Sequence, residues 1–375
     1  MPDNLKQYTI FHDFYNLISI RRCVQVLFLI ITLFIGIRFY MFAGQLSSVA
    51  AVTIARPAGV EAFLPISALV SLKYFLLTGI INKVHPAGLI IFIMILSTAI
   101  LFKKVFCAWI CPFGLLSDYL EKLHSYIFGR KTTLPPWLDF ALRGIRYIIA
   151  GFFLWSVFFK MPAVDLKQFI QSPYNTFADI KMLEFFTNIS AVSFRVIAAL
   201  LILSLIIDHF WCRYLCPYGA LLGIIGFFSL GKIKRDDEKC LKCGKCEKVC
   251  PGLIHIMEKK KINSLECSAC LRCVDACPEQ NVIKFSLFPG NTDFNQKKIA
   301  LVLIVFFAFG ITASKLSGHW QNNVPVRSYQ QYLLSSRMKS KIPMQSKISM
   351  QSKIPVRISK KDMKHMIEMM QKMQK

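Results

Sequence analysis

Acidic residues are scarce in this chain: 21 Asp and Glu stand against 46 Lys and Arg, a formal net charge of +25. No Walker A loop, dinucleotide fingerprint or catalytic triad is visible, so no phosphate cradle, nucleotide fold or acyl-transfer site is expected, and no catalytic residue is assigned. Uncommitted cysteine is scarce as well. Of 13 cysteines, twelve fall into spaced motifs and Cys23 alone is left over, which we read as packing. A basic excess can signal nucleic acid, but its distribution argues otherwise. Residues 315–375 hold 13 Lys/Arg and two acids, a net +11, and much of the remainder lies beside apolar runs. Membrane lipid of anionic character is the expected partner, and nucleic acid is not.

What is present is apolar. Hydrophobic residues make up 54% of the chain and phenylalanine occurs 32 times, which fits an integral membrane protein. Residues 1–22 are polar and end in Arg21-Arg22, directly before an apolar run from Val24 to Ala43. The arginine pair is similar to a twin-arginine signal. The run is long, however, and no small-x-small cleavage site follows, so an uncleaved anchor with its N-terminus inside is expected. Further apolar runs cover 62–81, 86–102, 144–159, 191–207 and 299–316. The run 62–81 carries Lys73 at its middle and Pro65 near its start. A mid-bilayer lysine costs about 2.5–3.5 kcal/mol, so this segment is read as re-entrant or partial, leaving about five transmembrane helices. Segments 103–143 and 208–298 then share the N-terminal side. Residues 103–146 hold seven Lys/Arg, while the opposite loop 160–190 holds three, balanced by three acids. Positive-inside places the shared side in the cytoplasm of a prokaryotic cell.

The cysteines organise the chain. Cys240, Cys243, Cys246 and Cys250 followed by Pro251 read C-x2-C-x2-C-x3-C-P, and Cys267, Cys270, Cys273, Cys277 and Pro278 repeat it. This is the spacing of a two-cluster bacterial ferredoxin, in which the last cysteine of each run serves the other cluster. Two [4Fe–4S] clusters are expected: one on Cys240, Cys243, Cys246 and Cys277, the other on Cys267, Cys270, Cys273 and Cys250. Zinc sites use one four-ligand set, and a disulfide framework suits small secreted domains.

Two apolar runs lead into near-copies of a second motif. "KKVFCAWICPFGLL" carries Cys107 and Cys111 before Pro112; "DHFWCRYLCPYGALL" carries Cys212 and Cys216 before Pro217. A spacing of four places both thiols of a pair on one helical face, with proline and then Gly114 or Gly219 turning the chain. The stretch around Leu64, Pro65 and Ala68 aligns as a third copy without cysteine. For the four thiols, several readings stay open: a further iron–sulfur or other metal centre, a redox-active dithiol pair, a metal-transfer site, or packing.

These residues resemble the membrane polyferredoxins of the NapH/NosR/CcoG (RdxA) type over roughly residues 20–315, and "RPAGVEAFLP" from Arg56 to Pro65 looks like a corresponding family segment. The resemblance implies an α-helical membrane protein with an inserted two-cluster, ferredoxin-like α+β module. Its divisions are a cytoplasmic 1–22, a membrane domain 23–231, the module 232–290, a last helix 298–316 and a tail 317–375. It implies electron transfer between a quinol or soluble donor and a partner redox enzyme. Copper or iron handling during assembly of a respiratory enzyme, and redox sensing, are the alternatives. For a quinone or proton site the candidates are His85, His124 and His209. The tail repeats SKIPMQ-SKISMQ-SKIPVR and ends with Met363, Met366, Met369, Met370 and Met373 around His365, a soft-ligand pattern or an amphipathic helix.

Overall fold

The structure, a computed structural model, describes residues 19–46, 52–129, 134–287 and 292–341. The Met-rich repeat region from 342 onward, including His365, lies outside the described residues. Contacts divide the chain into a unit of Met1–Gln45 with Ala50–Val324 and a unit of Leu46–Val49 with Pro325–Lys375.

The helix α1 spans Ile20–Leu46, all but its last residue in the first unit; there a 3₁₀ turn spans Ala58–Phe63, and α2 (Pro65–Thr78) and α3 (Pro86–Phe102) follow. Next come α4 (Val105–Trp109), α5 (Pro112–Phe128) and α6 (Pro136–Trp155), which runs into a π turn, Ser156–Lys160. Short helices α7 (Ala163–Gln171), α8 (Pro173–Thr176) and α9 (Ala178–Thr187) precede α10 (Ala191–Ile206). A second π turn, Trp211–Leu215, leads into α11 (Pro217–Phe227). Proline opens α2, α3, α5, α6 and α11, where its fixed φ and missing N–H cost nothing. Left-handed Gly79 and Gly129 close α2 and α5.

Among the described residues three helical stretches are long and apolar enough to cross a membrane, Ile20–Leu46, Pro136–Lys160 and the later Gln296–Leu316, or four if the bent pair Ala178–Thr187 and Ala191–Ile206 is one span. At 17 and 16 residues, α3 and α10 rise only about 25 Å against a hydrocarbon core of about 30 Å. α9 and α10 meet at an 82° bend. The loop expected between runs 159 and 191 is therefore largely helical.

α2 has 14 residues and a polar middle that is satisfied within the protein. Lys73 Nζ donates to the carbonyls of Val157 at 3.1 Å, Phe158 at 2.9 Å and Met161 at 2.5 Å, where the π turn leaves them free. The lysine is a cap for the end of α6, which removes the cost read from sequence.

Residues 231–294 form a four-stranded antiparallel sheet, ordered β2-β1-β3-β4, from Gly231–Arg235 (β1), Lys261–Ile262 (β2), Ile283–Leu287 (β3) and Thr292–Phe294 (β4). Ile233 pairs with Ile262 on one side and Phe285 on the other, and Phe285 pairs with Phe294. These apolar positions face inward. One-turn helices Lys245–Lys248 (α12) and Arg272–Asp275 (α13) cross the cysteine loops, and α14 (Gln296–Leu316) leaves the sheet. The core is continuous: Ile95, Phe102, Trp109, Leu222 and Leu303 of the helices join Ile233, Phe285 and five module cysteines in one cluster. The second unit contains α15, Val326–Lys341.

Candidate metal centres

The two cysteine runs fold as copies of one loop. In the first, Lys242 and Gly244 flank Cys243 with φ of 50° and 72°; in the second, Ala269 and Leu271 flank Cys270 with φ of 50° and 60°. Left-handed backbone at these positions turns successive N–H groups inward, toward the thiols. The N–H of Lys242 reaches Cys240, and that of Ala269 reaches Cys267. Non-glycine residues hold this strained geometry where burial fixes them: Ala269 and Leu271 are each 1% exposed.

The loops line two cavities. Cys240, Cys243, Cys246 and Cys277 line one, with Met257 and Ile283. Cys250, Cys267, Cys270 and Cys273 line the other, with Ile233, Ile254 and Ile262. The crossover follows from the one-turn helices, which carry Cys250 and Cys277 past their own loops. Cys243 is exposed at the first cavity, whereas all four cysteines of the second are buried. Burial pushes the Cys250 thiol up to about 11 and raises Cys267 and Cys273. Hydrogen bonding from Lys242 N–H, outweighing burial, lowers Cys240. The free thiols of Cys250, Cys267 and Cys273 would hold their protons at neutral pH, so metal binding there releases protons.

The C-x3-C-P pairs form a third group. Electrostatic interactions link Cys107 with Cys111, Cys216 and Cys212, so all four thiols share one neighbourhood. The expectation of two thiols on one continuous helical face is corrected here. α4 ends at Trp109, and Cys111 N–H donates to Phe106 O at 3.0 Å, five residues back. Cys216 N–H likewise donates to Trp211 O at 2.9 Å. This widened turn frees the second cysteine to cap the next helix. Cys216 Sγ accepts from Gly219 N–H at 3.3 Å, and Cys111 holds the same N-cap position before Pro112 and α5. Two helix N-termini therefore point at sulfur, which favours thiolate when a cation is bound. Burial nonetheless dominates, raising Cys111 to about 11 and Cys212 to about 12. Leu64 occupies the same position before Pro65 and α2, capping without a sulfur.

A single tetrahedral ion needs thiolates roughly 4 Å apart. Among the described residues, the group whose ligand atoms all converge within 4.8 Å is Asp118, Glu121 and His209, and no cysteine set is so tight. The cysteine sets suit a multi-iron core instead. The carboxylate group is already neutralised. Arg272 pairs with Asp118 and Glu121 at 2.6 Å each, Arg21 with Asp118 at 3.0 Å, and His209 Nε2 meets Glu121 at 3.1 Å. Arg272 lies between Cys270 and Cys273, so this knot docks the second cysteine loop onto α5. Trp109 Nε1 donates to Ala269 O at 3.1 Å, and Glu266 pairs with Arg146 and, at 3.7 Å, with Lys104.

The other histidines lie elsewhere. His85 is buried beside Glu61, its Nε2 2.7 Å from Asn175 O, and His124 stacks near Phe128 at 4.7 Å; neither lines a cysteine cavity. Cys23 does not pack as expected but is exposed on α1. Sequence reading missed Asp118, Glu121, Arg146 and Glu266. Their signal was charge on an apolar, proline-started helix or directly beside a cysteine.

Comparison with known proteins agrees. Residues 84–135 and 190–236 match the family described as "4Fe-4S binding domain", and residues 232–278 the "4Fe-4S dicluster domain". YccM of Escherichia coli, provisionally named for electron transport, is 38% identical over 336 residues, 87% of this chain and 93% of that protein. The ferredoxin-type protein NapH of Haemophilus influenzae is 32% identical over 213 residues, covering 52% and 66%. The regulatory protein NosR of Stutzerimonas stutzeri is 28% identical over 194 residues, covering 50% and 25%. No solved structure matches. The chain belongs to the membrane-type 4Fe-4S polyferredoxins of the NapH/NosR family. It is an iron–sulfur electron-transport protein.

Proposed function

We propose that the chain is a membrane-anchored relay with two [4Fe–4S] clusters and a further metal centre, passing electrons between a donor and a partner redox enzyme. Cys240, Cys243, Cys246 and Cys277 would hold one cluster, and Cys250, Cys267, Cys270 and Cys273 the other. Cys107, Cys111, Cys212 and Cys216 would hold the further centre. The observation that carries this reading is the arrangement of four cysteines around each of two cavities, with four more thiols gathered together and tied to the second loop through Trp109. Such groups, when bound, supply one-electron chemistry without proton or atom transfer.

The chain's own residues set the order and the surroundings. Exposed Cys243 leaves the outer cavity accessible to a partner. Ile233, Ile254, Ile256 and Ile262 exclude water from the inner one. Trp109, fully buried, lies between the inner loop and the C-x3-C-P thiols on the same short helix as Cys107.

In the membrane, α1, α3, α6 with its π turn, α10 and α14 would cross, and α2 would enter without crossing. In support, Arg21 at the start of α1 bonds Asp118, Leu230 N–H reaches Ile100 O at 2.9 Å, and Arg213 reaches Asp139 of α6. These contacts gather the helix ends on the side of the sheet, which the positive-inside rule assigns to the cytoplasm.

The test is iron and acid-labile sulfide analysis with EPR on the purified full chain and on Cys250→Ser and Cys277→Ser variants. Cys250→Ser should perturb the same signal as Cys267→Ser, and Cys277→Ser the same signal as Cys240→Ser. Perturbation within each run alone would sink the crossed ligand sets.

A further inference from the structure

Lys103 is a buried cation in an unusual place. It is 1% exposed, and its Nζ donates to Gly226 O at 3.4 Å. Among the described residues no carboxylate lies within ion-pair distance of it; the neighbouring Lys104 takes Glu266. A buried ammonium without an anion is costly by several kcal/mol. The backbone adds to the cost. Lys103 has φ 61° and ψ −153°, a region where glycine is at ease and a lysine is strained. Gly226 presses on this backbone, and a Cβ there would sit 3.1 Å from Lys103 Cα. The geometry is therefore held from outside, and a long cationic side chain is carried into the interior.

The surroundings point to what it serves. The Lys103–Lys104 turn packs against the segment beginning at Glu266, through the Lys104–Glu266 pair, and Cys267 is the next residue. Lys103 and Cys267 lie within electrostatic reach of each other. Burial disfavours the ammonium, negative charge at Cys267 opposes that, and Lys232, Lys104 and Lys261 nearby add to the positive charge that needs an anion. Glu266 is already taken by Lys104 and Arg146, and four thiolates around an iron–sulfur core would supply the negative charge in the inner cavity.

We infer that Lys103 is the built-in counter-ion of the inner cluster and raises its reduction potential. The inference rests on the proposed ligand set of the inner cavity. One-electron reduction adds one negative charge there with no bond broken and no proton taken up; the electron comes from a low-potential one-electron donor. A fixed ammonium nearby stabilises the reduced form more than the oxidised form. Lys103 touches no reacting atom and acts as a positioning charge. Its effect would make the inner cluster an electron acceptor relative to what burial alone would allow.

The test is an EPR-monitored redox titration of the full chain in detergent, with dithionite as reductant and iron content measured in parallel. Lys103→Met should hold wild-type iron and show a lower midpoint for the inner cluster, with the outer cluster unchanged. Lys103→Arg should restore the midpoint. Full iron with unchanged midpoints in Lys103→Met overturns the inference. If Lys103→Met loses inner-cluster iron while Lys103→Arg keeps it, a requirement for the charge is supported. Equal loss in both variants assigns Lys103 to packing and overturns it. A separate control, Cys267→Ser/Cys270→Ser, addresses the ligand set: unchanged iron and signals there would mean that the inner-cavity reading itself fails.

Discussion

Trp109 and Ala269, 160 positions apart, meet through a 3.1 Å hydrogen bond from the indole N–H to a buried carbonyl. The indole sits on the helix of Cys107; the carbonyl sits between Cys267 and Cys270 and belongs to a residue in left-handed backbone. Trp109→Phe keeps most of the packing but leaves that carbonyl without its donor. A loss of about 1–3 kcal/mol is expected, read as a lower midpoint in chemical denaturation and faster iron release to a chelator.

Arg272 carries the docking of the second loop. Its guanidinium serves Asp118 and Glu121, both buried. Arg272→Met should cost about 3–5 kcal/mol, because two buried carboxylates lose a shared partner. Hydrogen exchange should rise over residues 264–275 and along α5, and stay unchanged in α2.

The glycine after each C-x3-C-P proline is not equivalent. A Cβ at Gly114 would lie 2.1 Å from the Cys107 carbonyl oxygen, whereas at Gly219 the nearest atom is 3.5 Å away. Gly114→Ala should distort the first pair and destabilise by about 1–3 kcal/mol. Gly219→Ala should be tolerated. Thermal unfolding and iron per chain, measured on both variants, check the asymmetry.

Much of this was legible in the sequence, and what was not has physical causes. The cysteine spacing led to two four-cysteine cavities because one-turn helices leave little freedom in where Cys250 and Cys277 go. Spacing could not show that α4 ends at Trp109, since the wide turn is set by packing against residues far away. Lys73 read as a cost because its three carbonyl partners lie 84–88 positions later. Nothing in the sequence links Asp118 and Glu121 of α5 to Arg272 and Arg21, which lie 154 and 97 positions from Asp118; only the fold brings them together.

Acid should leave the docking intact until well below neutrality. Burial pushes Asp118 and Glu266 up, but Arg272 and Arg21 around the first, and Lys104 and Arg146 around the second, hold both below the ordinary carboxylate range. Folded carboxyls with lowered pKa bind fewer protons than unfolded ones, so their contribution is complete above about pH 4 and is lost as pH falls further. Protease susceptibility of residues 264–275 should be flat from pH 7 to 5 and rise below about pH 4.

The most direct measurement of the relay is a count of centres with and without the helix-capping thiols. Iron, sulfide and EPR spin quantification should be compared between the wild-type chain and Cys111→Ser/Cys216→Ser. The expected result is one centre fewer, with both ferredoxin-type signals retained. An unchanged count would contradict a metal centre at the C-x3-C-P site and end the wire at the inner cavity.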